Sequence, residues 1–201
     1  VDVFDREKVF IERHLRAITA AFPKLRIVFE HITTADAVDF VLGAGPQVAA
    51  TITPQHLHIN RNAMLVGGIQ PHNYCLPVAK REEHRLALRK AATSGNPKFF
   101  LGTDSAPHLR KAKEAACGCA GIFGAPFALE SYVTVFDEEG ALERFEGFAA
   151  LHGPAFYRLP VNEETITLVR GETDVPEVLT VAGEEIVPWH AGQRLGWRLV
   201  G

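Results

Sequence analysis

A histidine and an aspartate stand where this chain is able to do chemistry. His31 follows the apolar run Leu25-Arg26-Ile27-Val28-Phe29 and precedes Thr33-Thr34. A neutral imidazole at such a place serves as a metal ligand or a general base. On local sequence alone the favoured reading is a hydrogen-bonded histidine at the edge of the core. Asp104 comes just after Gly102-Thr103, which closes the run Lys98-Phe99-Phe100-Leu101. A carboxylate ending a buried strand is not solvated like a surface one and calls for a metal, a cation or backbone donors. It reads as a metal ligand or general base, or as a capping Asp helped by Ser105 and Pro107. His108, four residues on, strengthens the cluster.

Other candidates are weaker. His56-Leu57-His58 would share a zinc on a strand, where residues two apart face the same way. Here the pair follows Pro54 in a long polar segment and reads as a loop pair. Cys117-Gly118-Cys119 with the distant Cys75 lacks the Cys-x-x-Cys spacing of structural zinc and reads as small buried thiols in a tight loop. His14, His72, His84, His152 and His190 have no partner pattern. Neither glycine-rich phosphate-loop pattern occurs.

The elements that must position His31 and Asp104 alternate along the chain. Phe4, Ile11, Leu15, Ile18 and Phe22 fall on one helical face over residues 1–22, with Asp2 or Asp5 to cap the start and Pro23 to end it. The run 25–29 predicts a strand. Thr33 or Thr34 caps a helix that turns Ala37, Val38, Val41 and Leu42 inward and ends at Gly43. Residues 48–52 predict a strand, 81–93 a charged helix and 98–101 a third strand. The segment 53–80 is too long for an ordinary connection and reads as functional. Strands alternating with helices imply parallel pairing, and apolar strands imply that both faces are covered. In such folds chemistry gathers at the C-terminal strand ends, here His31, the segment after Thr53, and Asp104. Beyond them, helical patterns at 127–137 and 141–151, a turn at Gly153-Pro154, and short strands at 165–169, 178–181 and 197–200 complete the chain.

Composition narrows the class. The chain has 201 residues, 47% hydrophobic and 22% charged, as a folded globular protein has. A net charge of −3 argues against a nucleic-acid binder built on phosphate contacts. No apolar run approaches the roughly 18 residues of a membrane helix. Three cysteines make no disulfide framework, and a cytoplasmic setting is expected. Residue 1 is Val and the single Met is Met64, so segments upstream of Val1 are expected.

Taken together, Val28-Phe-Glu-His-Ile-Thr-Thr34, Ala50-Thr-Ile-Thr-Pro-Gln-His56, Met64-Leu-Val-Gly-Gly68, Tyr74-Cys-Leu-Pro77, Phe100-Leu-Gly-Thr-Asp-Ser-Ala-Pro-His108 and Cys117-Gly-Cys-Ala-Gly121 resemble the bacterial-type (class II) dihydroorotases of the amidohydrolase superfamily. Asn60-Arg-Asn62, Gly153-Pro-Ala-Phe-Tyr157 and Leu159-Pro-Val-Asn162 fit as well, so the likeness runs the length of the chain. It implies an α/β fold: the C-terminal portion of a (β/α)8 TIM barrel with a helical and short-strand extension. Residues 1–201 would then be the C-terminal part of one barrel domain, since a whole barrel takes roughly 250 residues.

The implied activity is the reversible cyclisation of N-carbamoyl-L-aspartate to L-dihydroorotate in pyrimidine biosynthesis. The implied cofactor is zinc, two ions per complete active site. By motif His31 and Asp104 each ligate one metal, and Asp104 is also the general base and acid. An Asp held by a cation is expected to have a depressed pKa. Leu76 contacts the pyrimidine ring through its backbone, and His108 with the Ala120 N–H holds the substrate carboxylate. The implied partners are the small-molecule substrate and a second copy in a homodimer, with no nucleic acid or membrane.

The family's His-x-His, its carboxylated lysine and a further histidine ligand would lie upstream of Val1, and His56-Leu57-His58 does not replace them. Two other readings follow from that: a non-catalytic partner of an aspartate transcarbamoylase, or another cyclic amidohydrolase such as a hydantoinase-like enzyme.

Overall fold

The computed structural model describes residues 1–200. Helix α1 spans residues 6–21 and widens into a π turn at Ile11–Leu15. Ile11 and Leu15 are buried, whereas Ile18 and Phe22 are exposed. The wide turn rotates the last part of the helix about its axis, so the expected apolar stripe breaks there. Neither aspartate caps this helix by its side chain: Asp5 is the N-cap without a cap bond, and Asp2 accepts from the Phe4 N–H at 2.8 Å.

Strands β1 (Ile27–Phe29), β2 (Val48–Ile52) and β3 (Phe99–Leu101) form a parallel three-stranded sheet in sequence order. Ile27 pairs with Val48, and Ala50 with Phe99. Every residue of the central strand β2 is buried, as expected for a strand covered on both faces. Helix α2 (Ala35–Gly43) links β1 to β2. Its N-cap is Thr34, whose Oγ1 accepts from the Ala37 N–H. Ala37, Val38, Phe40 and Val41 are inward, but Leu42 faces solvent, contrary to the expected face.

The crossover from β2 to β3 carries a short helix α3 (Pro54–His58), two single 3-10 turns and helix α4 (Glu82–Ala92). The pair His56 and His58 thus lies on a helix and not in a loop. Thr53 caps α3 and Pro54 occupies its first position, where a missing N–H costs nothing.

After β3 come α5 (Arg110–Lys113), α6 (Ala128–Glu138) and α7 (residues 147–157). Gly153-Pro154 sits inside α7 and does not open a turn. Pro154 falls in the first turn of the α-helical segment, after a π turn, where proline is tolerated. The aromatic rings of Tyr132, Phe136, Phe145 and Phe148 pack with centroids 5.1 to 5.5 Å apart and close the core over β2. The Tyr132 hydroxyl donates to the Ile52 carbonyl at 2.6 Å.

The C-terminal segment folds as two antiparallel pairs. One joins β4 (Thr167–Asp174) and β7 (Arg194–Val200); the other joins β5 (Leu179–Val181) and β6 (Glu184–Ile186). Strand β6 is not legible in the sequence: its hairpin turns on Ala182-Gly183, both at positive φ, and Ala gives no turn signal. The segment docks through Trp189 N–H to Phe123 O (2.8 Å) and through a two-pronged Arg170–Asp137 pair. His190 completes the joint: Nε2 meets Ser131 Oγ at 3.0 Å, and the ring stands edge-on to His58, centroids 5.0 Å apart.

Burial holds the His190 and His56 imidazoles well below the usual histidine value of 6.5, each at about 4. The unfolded chain therefore takes up protons near pH 6.5 that the folded chain refuses until about pH 4. Stability is level above pH 6.5 and falls on acidification, by roughly 2 kcal/mol per histidine at pH 5. Urea unfolding at pH 7.5 and pH 5 is expected to show this loss, and His190→Gln is expected to reduce it.

Candidate functional site

His31 and Asp104 lie at the C-terminal ends of β1 and β3, on either side of the central strand. Both line a cleft of about 490 Å³ together with Glu30, Thr51, Gly102 and Tyr157. Both also have left-handed backbones, φ 42° at His31 and φ 44° at Asp104. For residues with a Cβ this conformation costs about 1–2 kcal/mol each and persists only where neighbours impose it.

Thr51 of β2 imposes it on one side. Its Oγ1 accepts the His31 N–H at 2.7 Å, and its carbonyl accepts the Ile32 N–H at 3.1 Å. On the other side the Thr51 side chain fills the space beside Gly102. A Cβ on Gly102 would come within 2.5 Å of the Thr51 Cβ, so only glycine lets β3 exit there.

The His31 ring points one buried nitrogen, Nδ1, at no hydrogen-bond partner, while Nε2 is 3.9 Å from the Glu30 carboxylate. A buried imidazole nitrogen without a partner, on a residue that lines a cleft with carboxylates, has the chemistry of a metal ligand. Asp104 is exposed, which corrects the expectation that it escapes bulk solvent. Its pKa is raised: partial desolvation against the cleft wall is the main cause, and His31 opposes it more than Glu30 adds to it. Among the described residues no group of three or more His, Cys, Asp or Glu side chains could hold a metal ion.

Leu76 lines a second cleft of about 250 Å³ that also touches Glu30, His31 and Lys80. His31 thus borders both clefts. His108 and Ala120 are joined directly, with Nε2 donating to the Ala120 carbonyl at 3.0 Å. Since a carbonyl only accepts, this bond places a proton on Nε2, so Nδ1 can donate to an anion only in the imidazolium form of the ring. Gly121, at φ 150°, lets the loop lie against His108: a Cβ there would meet the ring at 2.7 Å.

The remaining candidates are structural. His56 is fully enclosed, between Thr53 Oγ1 (2.7 Å) and the Pro77 carbonyl (2.8 Å). His58 reaches the Ser131 carbonyl at 2.9 Å. On helix α3 the two rings diverge and share no ligand. Cys75 is buried, and desolvation pushes its thiol up to about 12. Cys117 is exposed and Cys119 half-buried, which corrects the reading of both as buried.

Three supports escape sequence reasoning. The Glu7 carboxylate accepts from the Thr33 N–H and from both threonine hydroxyls. Lys80 Nζ donates to Thr33 Oγ1 (2.9 Å) and the Val78 carbonyl (2.7 Å), and Lys113 is buried. Lone charged residues in polar stretches carry no periodic signal.

The fold and site define the class, an α/β protein whose parallel sheet carries a polar cleft at the C-terminal ends of its strands. The L-hydantoinase of Arthrobacter aurescens shares the fold alone, at 20% identity and a TM-score of 0.74, over 93% of this chain and 45% of that one. No protein-family model matches. The dihydroorotase of Erythrobacter litoralis is 73% identical over 199 residues, 99% of this chain and 58% of that protein. The dihydroorotase of Saccharomyces cerevisiae, solved in complex with 5-fluoroorotic acid, superposes with a TM-score of 0.90 at 33% identity, over all of this chain and 58% of that one. The chain belongs to the dihydroorotase family and spans 58% of the length of these relatives.

The left-handed turn at Asp104 yields a test in the fold itself. Asp104→Gly is expected to unfold at higher denaturant than Asp104→Ala, by about 1 kcal/mol, because only glycine accepts this backbone without strain. Equal midpoints for the two variants would show the turn to be unstrained.

Proposed function

We propose that the complete protein is a zinc-dependent dihydroorotase, interconverting N-carbamoyl-L-aspartate and L-dihydroorotate in pyrimidine biosynthesis. The present chain would supply the C-terminal part of its (β/α)8 barrel as a single domain. The observation that carries the reading is the pairing of His31 and Asp104. A histidine with a free buried nitrogen and a carboxylate border one cleft at the ends of two parallel strands, each in a left-handed turn.

His31 and Asp104 would each hold one of two zinc ions. Bound there, zinc would acidify water and polarise the ring carbonyl. The other steps fall to the chain's own residues. Asp104 takes a proton from the attacking water and hands it to the leaving ring nitrogen; in the cyclisation direction it runs the same transfer in reverse. His108 and the Ala120 N–H hold the substrate carboxylate by charge-assisted bonds and so fix the ring's orientation. The Leu76 backbone contacts the ring edge. The complete protein would act in the cytoplasm as a homodimer, on a small molecule and with no nucleic acid or membrane. No helix is long and apolar enough to cross a membrane among the described residues.

Loss of dihydroorotate absorbance measures the reaction. In the complete enzyme, Asp104→Asn is expected to lower kcat by about 10²–10⁴-fold, the usual worth of a positioned general base. Wild-type turnover in that variant would remove Asp104 from the chemistry. For the isolated 201 residues, equilibrium dialysis against zinc is expected to show no tight two-ion site, because two ligands split over two metals are too few.

A further inference from the structure

Lys113 closes the short helix α5, which begins two residues after His108. It is only 4% exposed. Its Nζ donates to the Tyr74 carbonyl at 2.8 Å and to the Gly121 carbonyl. These two loops also meet directly, Gly121 N–H to Tyr74 O at 3.0 Å. Tyr74 lies two residues before Leu76, and Gly121 follows Ala120 at once. One ammonium therefore ties together the segments that carry Leu76 and Ala120, and Ala120 in turn receives the His108 bond.

The ionisable groups felt by this ammonium are the thiols of Cys75 and Cys119, not a carboxylate. A buried ammonium held by carbonyls alone keeps an uncompensated positive charge, and desolvation lowers its pKa. As glue between two loops, a neutral donor would serve at lower cost. The charge has a use where an anion is to be held nearby.

We infer that Lys113 is a positioning residue for the substrate carboxylate. It locks the Tyr74–Leu76 and Ala120–Gly121 segments in register with His108, and its charge favours a carboxylate-bearing pyrimidine at the donors they present. The inference rests on the dihydroorotase reading above.

The test uses the complete zinc-loaded enzyme with Lys113→Met, Lys113→Gln and Lys113→Arg. Dihydroorotate kinetics are measured beside orotate binding by calorimetry, with circular dichroism and zinc content on each sample. For Lys113→Met and Lys113→Gln, KM and the orotate Kd are expected to rise together by about ten-fold or more, with kcat changed less than about three-fold. Lys113→Arg is expected to recover part of the orotate affinity. Folded variants whose KM and orotate Kd stay within two-fold of wild type overturn the inference. So does a fall in kcat at unchanged KM. Loss of fold in Met and Gln with wild-type affinity in Arg, or loss of fold in all three, makes Lys113 a folding residue and overturns it too. A wild-type enzyme that neither turns over dihydroorotate nor binds orotate overturns the dihydroorotase reading itself, a result distinct from the rest.

Discussion

The site depends on one side chain in the middle of the sheet. Thr51 of β2 touches the exits of both neighbouring strands: it accepts the His31 N–H on one side and excludes any Cβ from Gly102 on the other. A β-branched residue is stiff about χ1, so both exits are referred to a rigid point. Tyr132 fixes the same level from the helical layer, through its bond to the Ile52 carbonyl. The left-handed turns at His31 and Asp104 result, since the chain must reverse direction directly beyond a strand whose neighbours are already placed. Strain stored there is spread over a buried sheet that can bear it.

Around this frame, buried charge connects loops and forms few close ion pairs. Thr33 shows how: its hydroxyl donates to the Glu7 carboxylate and accepts from Lys80, so it stands between opposite charges that do not touch. Glu7 also takes the Thr34 hydroxyl, and Thr34 in turn caps α2. The N-terminal helix is thus bonded into the loop that follows His31. Lys113 likewise joins two loops, through the Tyr74 and Gly121 carbonyls. Each contact joins segments distant in sequence, and each is shielded from water, which is where a charge-assisted hydrogen bond keeps most of its strength.

How much of this is legible in the sequence depends on how local each cause is. Strand β2 and helix α4 fall within one residue of their sequence-based bounds, because an unbroken apolar run and a charged amphipathic turn pattern are local facts. Thr34 as a cap is readable for the same reason. His31 and Asp104 stand out by their position after apolar runs, although neither residue type announces a left-handed turn. The break in the α1 stripe, the helix under His56 and His58, and the hairpin at Ala182-Gly183 are not legible, since tertiary packing decides them. Lys80 and Lys113 are invisible: a lysine in a polar stretch reads as surface, and only the fold buries it.

The sheet leaves both of its edges open to the barrel proposed above. Strands β1 and β3 each pair with β2 alone, so each presents one unpaired edge among the described residues. Each of these edge strands leads into one of the two candidate residues of the cleft, His31 beyond β1 and Asp104 beyond β3. An exposed parallel edge is costly and prone to wrong pairing unless another strand covers it. Phe10, Phe22 and Leu25 remain 44%, 61% and 48% exposed on the β1 side. A barrel continued from both edges would cover these surfaces and bring further side chains toward the cleft from two directions. Under the barrel proposed above, the donor set that is too small for a metal within this chain would be one part of a complete one, with His31 and Asp104 at its two margins.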